Sequence, residues 1–239
     1  YSIYEDGTIE NPLAYHHEML CASLYSMESA YVISLLCESS LVFFPILASF
    51  FGLLWGSTEI KNRSLRHRVQ RLGKYRSLWS RQLSGFLVLL LLFLLTIPFA
   101  FGVQAWFHHQ FISTYAMDST AFAYTSEINV NYGKQLLFAA FVLLFYYEFG
   151  YTFGNLFKGN PISIVLVCVY VLFIPPLFAY DIANVMNNFA KNVFEFIGSF
   201  SLAGVLEASL LWGGLELAGL FALMLLCNTV LTNKRSAYV

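Results

Sequence analysis

Charged residues are scarce in this sequence, and their scarcity excludes several classes of protein. Only 11% of the 239 residues are Asp, Glu, Lys or Arg, and the formal net charge is −1. This composition matches neither a nucleic-acid-binding domain nor a disordered polar tail. The four cysteines form no Cys-x-x-Cys pair and no Cys/His spacing typical of zinc or iron–sulfur sites. We therefore expect neither a metal centre nor nucleic acid as a partner.

Most of the uncharged residues of the sequence are apolar. Hydrophobic residues make up 58% of the chain and the mean hydropathy is +0.64. They are concentrated in five blocks near the ~20 residues that a helix needs to cross the hydrocarbon core. Each block is predicted to be helical, because an isolated strand would leave backbone amides unpaired in lipid. The predicted fold class is an all-α integral membrane protein, a polytopic bundle. Its five spans in this sequence are 39–57, 83–103, 135–156, 161–180 and 203–231.

The positive charges orient these spans. Eight of the thirteen Lys and Arg residues fall in the loop 58–82, and short loops rich in Lys and Arg face the cytoplasm. With that loop cytoplasmic, the remaining segments alternate. Those predicted outside are 1–38, 104–134 and 181–202, and those predicted in the cytoplasm are the turn 157–160 and the tail 232–239.

The first 38 residues carry six acidic residues and no Lys or Arg, as expected for an external segment. An external N-terminus requires a means of crossing the membrane, yet the sequence begins at Tyr1 and has no basic region followed by an apolar one. We expect a further span before Tyr1, and hence six spans in the native chain.

The basic loop also has a helical pattern. Gly73 is a plausible helix stop, and Glu59 and Arg63 form an i,i+4 pair. Four apolar residues share a broad face at helical spacing: Ile60, Leu65, Val69 and Leu72. The pattern predicts a short amphipathic helix lying across the cytoplasmic side. Such a helix suits either anionic lipid headgroups or a groove on a partner protein.

A span that ends in "LLWGSTEI", a basic helical segment, and a next span that opens with "SRQLSGFLVLLLLFLL" resemble the membrane subunits of type-2 ABC exporters. In that family the Glu at the cytoplasmic end of the second span begins the loop that carries the coupling helix. Six spans are typical, with a sizeable external region between the last two. The span layout matches over the whole chain, whereas the residue-level match is confined to about 52–90.

The resemblance implies a permease subunit that forms the export path for an amphipathic or apolar substrate, such as a peptide, lipid or drug, in a bacterial plasma membrane. Its implied partners are ABC-type ATPase subunits, a second permease subunit and membrane lipids. The implied contact with the ATPase uses Glu59, Arg63, Leu65, Arg66, Arg68, Val69 and Arg71. The chain has no G-x-x-x-x-G-K-[ST] phosphate loop, so ATP and Mg²⁺ belong to the partner, and this chain is not itself expected to be an enzyme or to bind a cofactor.

Three glutamates lie within or near apolar segments: Glu148, Glu207 and Glu216. A charge at mid-membrane costs at least ~2.5 kcal/mol, so these side chains are expected to face protein or water. Each is a candidate polar point of the translocation path or of a polar relay. The alternative is a structural carboxyl group that holds helices together, which we favour for Glu148 because neighbouring tyrosines, Tyr146, Tyr147 and Tyr151, offer hydroxyl donors.

Two other functions compete with export. A secondary transporter or channel is compatible with proline-interrupted spans and intramembrane carboxylates, but the halves of the chain show no internal symmetry. An intramembrane hydrolase would need a nucleophile with a base, or a metal cluster, at membrane depth. No predicted span contains a histidine, which disfavours the enzyme.

Overall fold

The computed structural model describes most of the chain as helix. The residues it describes are 11–26, 31–61, 65–115, 131–158, 160–173, 179–194, 196 and 205–237. Every regular element in these ranges is helical, which confirms the all-α fold class. The helices are α1 (Pro12–Ser26), α2 (Val32–Lys61), α3 (Leu65–Leu72), α4 (Lys74–Tyr115), α5 (Tyr132–Leu156), α6 (Pro161–Cys168), α7 (Ile182–Ala190) and α8 (Leu210–Ala237). A π-helical turn, Val169–Phe173, extends α6.

Four helices are long and apolar enough to cross a membrane. They are Val32–Thr58, Tyr75–Phe111, Tyr132–Leu156 and Leu210–Lys234, within α2, α4, α5 and α8. Four of the five predicted spans fall on them, although α8 begins at Leu210 rather than at residue 203. The predicted span 161–180 coincides with the shorter apolar helix Pro161–Val171, and residues 174–178 lie outside the described part of the chain. A fifth and a sixth span stay predictions.

Helix α4 is far longer than a bilayer requires. Its 42 residues correspond to about 63 Å, roughly twice the ~30 Å hydrocarbon core. Trp79 and Trp106 on this helix are both exposed and stand 27 residues, or about 40 Å, apart along the axis. That distance matches the separation of the two membrane interfaces, where tryptophan is enriched. We infer that α4 extends beyond the hydrocarbon at both ends and forms the first part of the segment 104–134.

The centre of the bundle is the packing of α2 against α5, the most extensive helix contact among the described residues. Each helix contributes two glycines four residues apart, Gly52 and Gly56 on α2 and Gly150 and Gly154 on α5. A Cβ atom on Gly56 would approach the Tyr151 carbonyl oxygen to 2.6 Å, and one on Gly150 would overlap the Ser49 carbonyl. The two backbones are therefore in direct contact, as in membrane helix pairs with small residues at this spacing.

At one end of the bundle, α7 fixes the start of α8. The Asn184 side-chain amide donates to the carbonyls of Ala179 (2.7 Å) and Leu206 (2.9 Å), and its Oδ1 accepts from the Leu206 amide (2.9 Å). Gly213 on α8 packs directly under Val185 of α7. The opposite end, where α3 and the first turns of α4 lie, is called the basic end below.

Candidate functional site at the basic end of the bundle

The basic loop forms a short helix between two long ones. Helix α2 continues to Lys61, so Glu59 lies in its last turns, and α3 ends at Leu72, one residue before Gly73. Gly73 adopts φ +78°, a left-handed conformation that suits glycine at the end of a helix. Helix α3 contacts both α4 and α8. The chain thus reverses tightly at the basic end and places α3 beside the ends of two candidate spans.

The described side chains of α3 are those of residues 69 to 72. Val69 is half-buried, and Arg71 and Leu72 are exposed. Arg63 and the side chains of Glu59, Leu65, Arg66 and Arg68 lie outside the described part of the chain. Their proposed contact with an ATPase therefore stays a prediction.

A reciprocal contact joins the two helices that flank the basic loop. The Trp55 indole N–H donates to the Arg81 carbonyl (3.1 Å), and the Arg81 guanidinium donates to the Trp55 carbonyl. The guanidinium carbon also lies 5.8 Å from the centre of the Tyr151 ring, within cation–π range. Arg81 is buried. It is thus a structural cation that ties α2, α4 and α5 together, in addition to contributing to the positive charge of the loop.

Glu148 is the centre of a buried hydrogen-bond network. Its side chain is 2% exposed, and Oε1 accepts from the side-chain amides of Gln82 (2.8 Å) and Asn228 (2.7 Å). These donors come from α4 and α8, so one carboxyl group links three helices. The hydrogen bonds of Glu148 thus come from amide side chains, and Tyr147, one of the tyrosines suggested as a donor, donates to the Gln82 carbonyl (3.2 Å). Amide side chains reach the carboxyl group from neighbouring helices, whereas a tyrosine adjacent in sequence points elsewhere on the helix.

The network extends one turn further along α5. The Asn155 amide donates to Asn228 Oδ1 (2.9 Å), and Asn228 Nδ2 also lies 2.9 Å from Thr152 Oγ1. Asn228 is fully buried and uses both ends of its amide. We call the connected set the polar junction: Trp55, Arg81, Gln82, Glu148, Thr152, Asn155 and Asn228. It joins all four candidate spans, and two of these helices, α4 and α8, also contact α3.

The structure does not bring the three candidate glutamates together. Glu216 lies on α8 twelve residues before Asn228, about 18 Å along the axis, and it is half-buried with Oε2 unpaired among the described residues. Glu207 is exposed and precedes α8. The predicted span 203–231 had placed Glu207 and Glu216 on one helix, whereas in the structure only Glu216 lies on α8. Only Glu148 belongs to the polar junction.

Sequence reasoning missed most of the polar junction. Gln82, Asn155 and Asn228 carry no charge, and Asn228 lies in the apolar stretch "LMLLCNTVL". For Asn155 and Asn228 the available signal was an amide side chain inside a predicted span, since such groups hydrogen-bond across helices. Gln82 was predicted to lie in the basic loop 58–82, so no such signal applied to it. The glycine pairs of α2 and α5 were likewise readable as G-x-x-x-G motifs.

No protein family, no curated protein and no solved structure matches the chain.

Proposed function

We propose that this chain is the membrane-spanning permease subunit of an ATP-driven exporter, coupled to a separate ATPase subunit through α3. The observation that carries the proposal is the position of α3, which contacts α4 and α8, two of the four candidate spans that the polar junction joins. A movement of α3 would be transmitted through α4 and α8 to the polar junction, and from there to the other two helices. This arrangement suits a helix that receives force from a subunit outside the membrane.

The path can be followed residue by residue. Glu59 lies one turn beyond Trp55 on α2, and Trp55 is bonded to Arg81 at the start of α4. From the neighbouring Gln82, the network passes through Glu148 on α5 to Asn228 on α8. In this proposal, closure of the ATPase around Mg-ATP moves α3, and the polar junction passes the movement to the bundle. The residues proposed to meet the ATPase are Glu59, Arg63, Leu65, Arg66, Arg68, Val69 and Arg71.

The exposed apolar surface of the bundle is evidence for an assembly of two permease subunits. The buried share of the candidate span is 50% in α5, but only 11% in α4 and 17% in α8. Exposed leucines on α4 include Leu87, Leu91 and Leu95. Such surfaces require lipid or a second permease subunit as a neighbour. The proposal places the basic end in the cytoplasm of a bacterial cell, and the substrate is an amphipathic or apolar peptide, lipid or drug.

A secondary transporter or channel is the second candidate. The observation that favours it is the burial of carboxylates in the bundle without Lys or Arg partners among the described residues, at Glu148 and Asp181. Intramembrane carboxylates are common on proton and ion paths. Transport by purified chain that follows an ion gradient without any ATPase would establish this alternative.

The exporter proposal predicts the effect of charge reversal in α3. Arg68→Glu with Arg71→Glu is expected to reduce co-purification of a phosphate-loop ATPase from native membranes at least tenfold, because the docking face loses two cations and gains two anions. The matched control is Lys134→Glu with Lys191→Glu, two exposed cations away from the basic end. Equal recovery of the ATPase with both double variants, or no ATPase with the wild-type chain, would contradict the proposal.

A further inference from the structure

A cavity lies in the half of the bundle away from the basic end. It has a volume of about 250 Å³ and is lined by residues of α2, α5, the π-helical turn and α7. At ~30 Å³ per water this space corresponds to about eight water molecules. It is just smaller than typical small-molecule pockets, so it suits one ring with a short chain rather than a whole peptide.

A buried carboxylate lines this cavity. Asp181 is 7% exposed, and its Oδ1 accepts from the Tyr170 hydroxyl (2.9 Å). Its Oδ2 accepts no hydrogen bond from a described residue. Asp181 also occupies the N-cap position of α7, with φ −69° and ψ 144°, yet its side chain makes no capping bond. An N-cap aspartate ordinarily accepts from the first helical amides. Here the carboxylate is directed to the cavity instead.

A second polar group in the cavity also lacks a partner. Tyr146 is 4% exposed and lines the cavity, and its hydroxyl makes no hydrogen bond with a described residue. The remaining wall includes the apolar side chains of Leu41, Ile46 and Met186 and the polar side chain of Asn187. Within the described part of the chain, a carboxylate oxygen and a hydroxyl without hydrogen-bond partners therefore share one cavity with two tyrosine rings.

Among the described residues, no Lys or Arg side chain pairs with this carboxylate. The only Lys or Arg residues of the chain outside the basic end and its adjacent loops and tail are Lys134 and Lys191, and both are exposed. Lys191 follows Asp181 by ten residues, about 15 Å along α7, and Lys134 precedes Tyr146 by twelve residues, about 18 Å. A buried carboxylate is stable when paired with a cation. A ligand that carries a positive charge would supply this partner.

The chemistry of the cavity distinguishes between kinds of cation. The described residues contain no group of three or more His, Cys, Asp or Glu side chains that could hold a metal ion. An apolar wall with aromatic rings instead favours an organic ammonium, whose charge pairs with a carboxylate while its carbon atoms meet the wall.

We propose that this cavity is a binding site for an organic cation, an ammonium group on a short apolar or aromatic stem. The ammonium pairs with Asp181 Oδ2 and donates to the Tyr146 hydroxyl oxygen, and the stem packs against Leu41, Ile46 and Met186. Binding itself is independent of ATP-driven export. Only the interpretation of this cavity as a subsite for the cationic group of an exported substrate rests on the proposed function.

The test uses the purified full chain in lipid nanodiscs and 4-fluorophenethylammonium as the probe, followed by ¹⁹F NMR. The wild-type chain is expected to bind the probe saturably. The neutral analogue 2-(4-fluorophenyl)ethanol is expected to bind at least tenfold more weakly, because it brings no charge to Asp181. Asp181→Asn is expected to lower the affinity for the ammonium at least tenfold and to leave that for the alcohol unchanged within twofold.

Two further variants keep the result interpretable. Glu18→Gln removes an exposed carboxylate outside the cavity and is expected to bind the probe as the wild type does. Ala183→Leu keeps Asp181 and fills the cavity from α7, so it is expected to abolish binding even if Asp181→Asn fails to fold.

Three results would overturn the proposal. They are equal affinity for the ammonium and the alcohol, wild-type affinity in Ala183→Leu, and no saturable binding to the wild-type chain. None of these results depends on an ATPase, so failure of this site and failure of the exporter proposal are separable.

Discussion

Replacing Gly150 with alanine is expected to separate α2 from α5 and to leave little natively folded protein. The new Cβ would overlap the Ser49 carbonyl, and the obstacle is helix backbone rather than a flexible side chain. Overpacking in a core typically costs about 1–3 kcal/mol, and we expect at least about 3 kcal/mol here because neither backbone can yield alone. Thermal unfolding in detergent and the fraction of monodisperse protein after size exclusion measure this loss.

The matched control is Gly219→Ala on α8. A Cβ at Gly219 meets no atom within 4 Å, and alanine costs about 0.5–1 kcal/mol less than glycine in a helix. This variant is expected to be as stable as the wild type or slightly more so. If Gly150→Ala unfolded at the same temperature as Gly219→Ala, the direct backbone contact between α2 and α5 would be refuted.

Replacing Glu148 with leucine is expected to destabilise the bundle by about 2–4 kcal/mol. The substitution removes the one acceptor that serves both Gln82 and Asn228, and their side-chain amides would then be buried without an acceptor at that position. Unpaired buried donors cost about 1–3 kcal/mol each. Denaturant titration in mixed micelles gives the change in the free energy of unfolding.

Two comparisons separate the hydrogen bonds from the loss of a carboxyl group. Glu148→Gln keeps a carbonyl oxygen at the same position, so it is expected to cost less than about 1 kcal/mol. Glu148→Leu combined with Asn228→Leu is expected to cost less than the sum of the two single variants, since each single change already breaks the shared bond. Strict additivity would show that the two residues are not coupled.

The helices were largely predictable because their signals are local. A run of apolar residues about twenty long predicts a span whatever surrounds it, and α2, α4, α5 and α8 follow that rule. The spacing of Leu65, Val69 and Leu72 with Gly73 indicated the short helix α3 in the same way. The segment 161–180 was harder, because its α-helix ends at Cys168 and a π-helical turn follows.

The polar junction was not predictable at the same level because it depends on which helices are neighbours. Glu148 could be recognised as a buried carboxylate, but its partners Gln82 and Asn228 lie 66 and 80 residues away in the sequence. From the sequence alone, the adjacent tyrosines were the expected hydrogen-bond donors to Glu148, because the packing of α4 and α8 against α5 cannot be inferred from local sequence. Asp181 was overlooked for a related reason, since only the fold shows that its carboxylate faces a cavity rather than the first turn of α7.

The central claim is that α3 docks on an ATPase, and photocrosslinking from α3 tests it most directly. Leu72 is exposed at the end of α3, and the exposed Leu223 on α8 serves as the control position in the lipid-facing region. With p-benzoylphenylalanine at each position in native membranes, irradiation is expected to join position 72, but not position 223, to a phosphate-loop ATPase identified by mass spectrometry. Adducts at position 72 with lipid alone would contradict the account and leave α3 as a helix that only rests on headgroups.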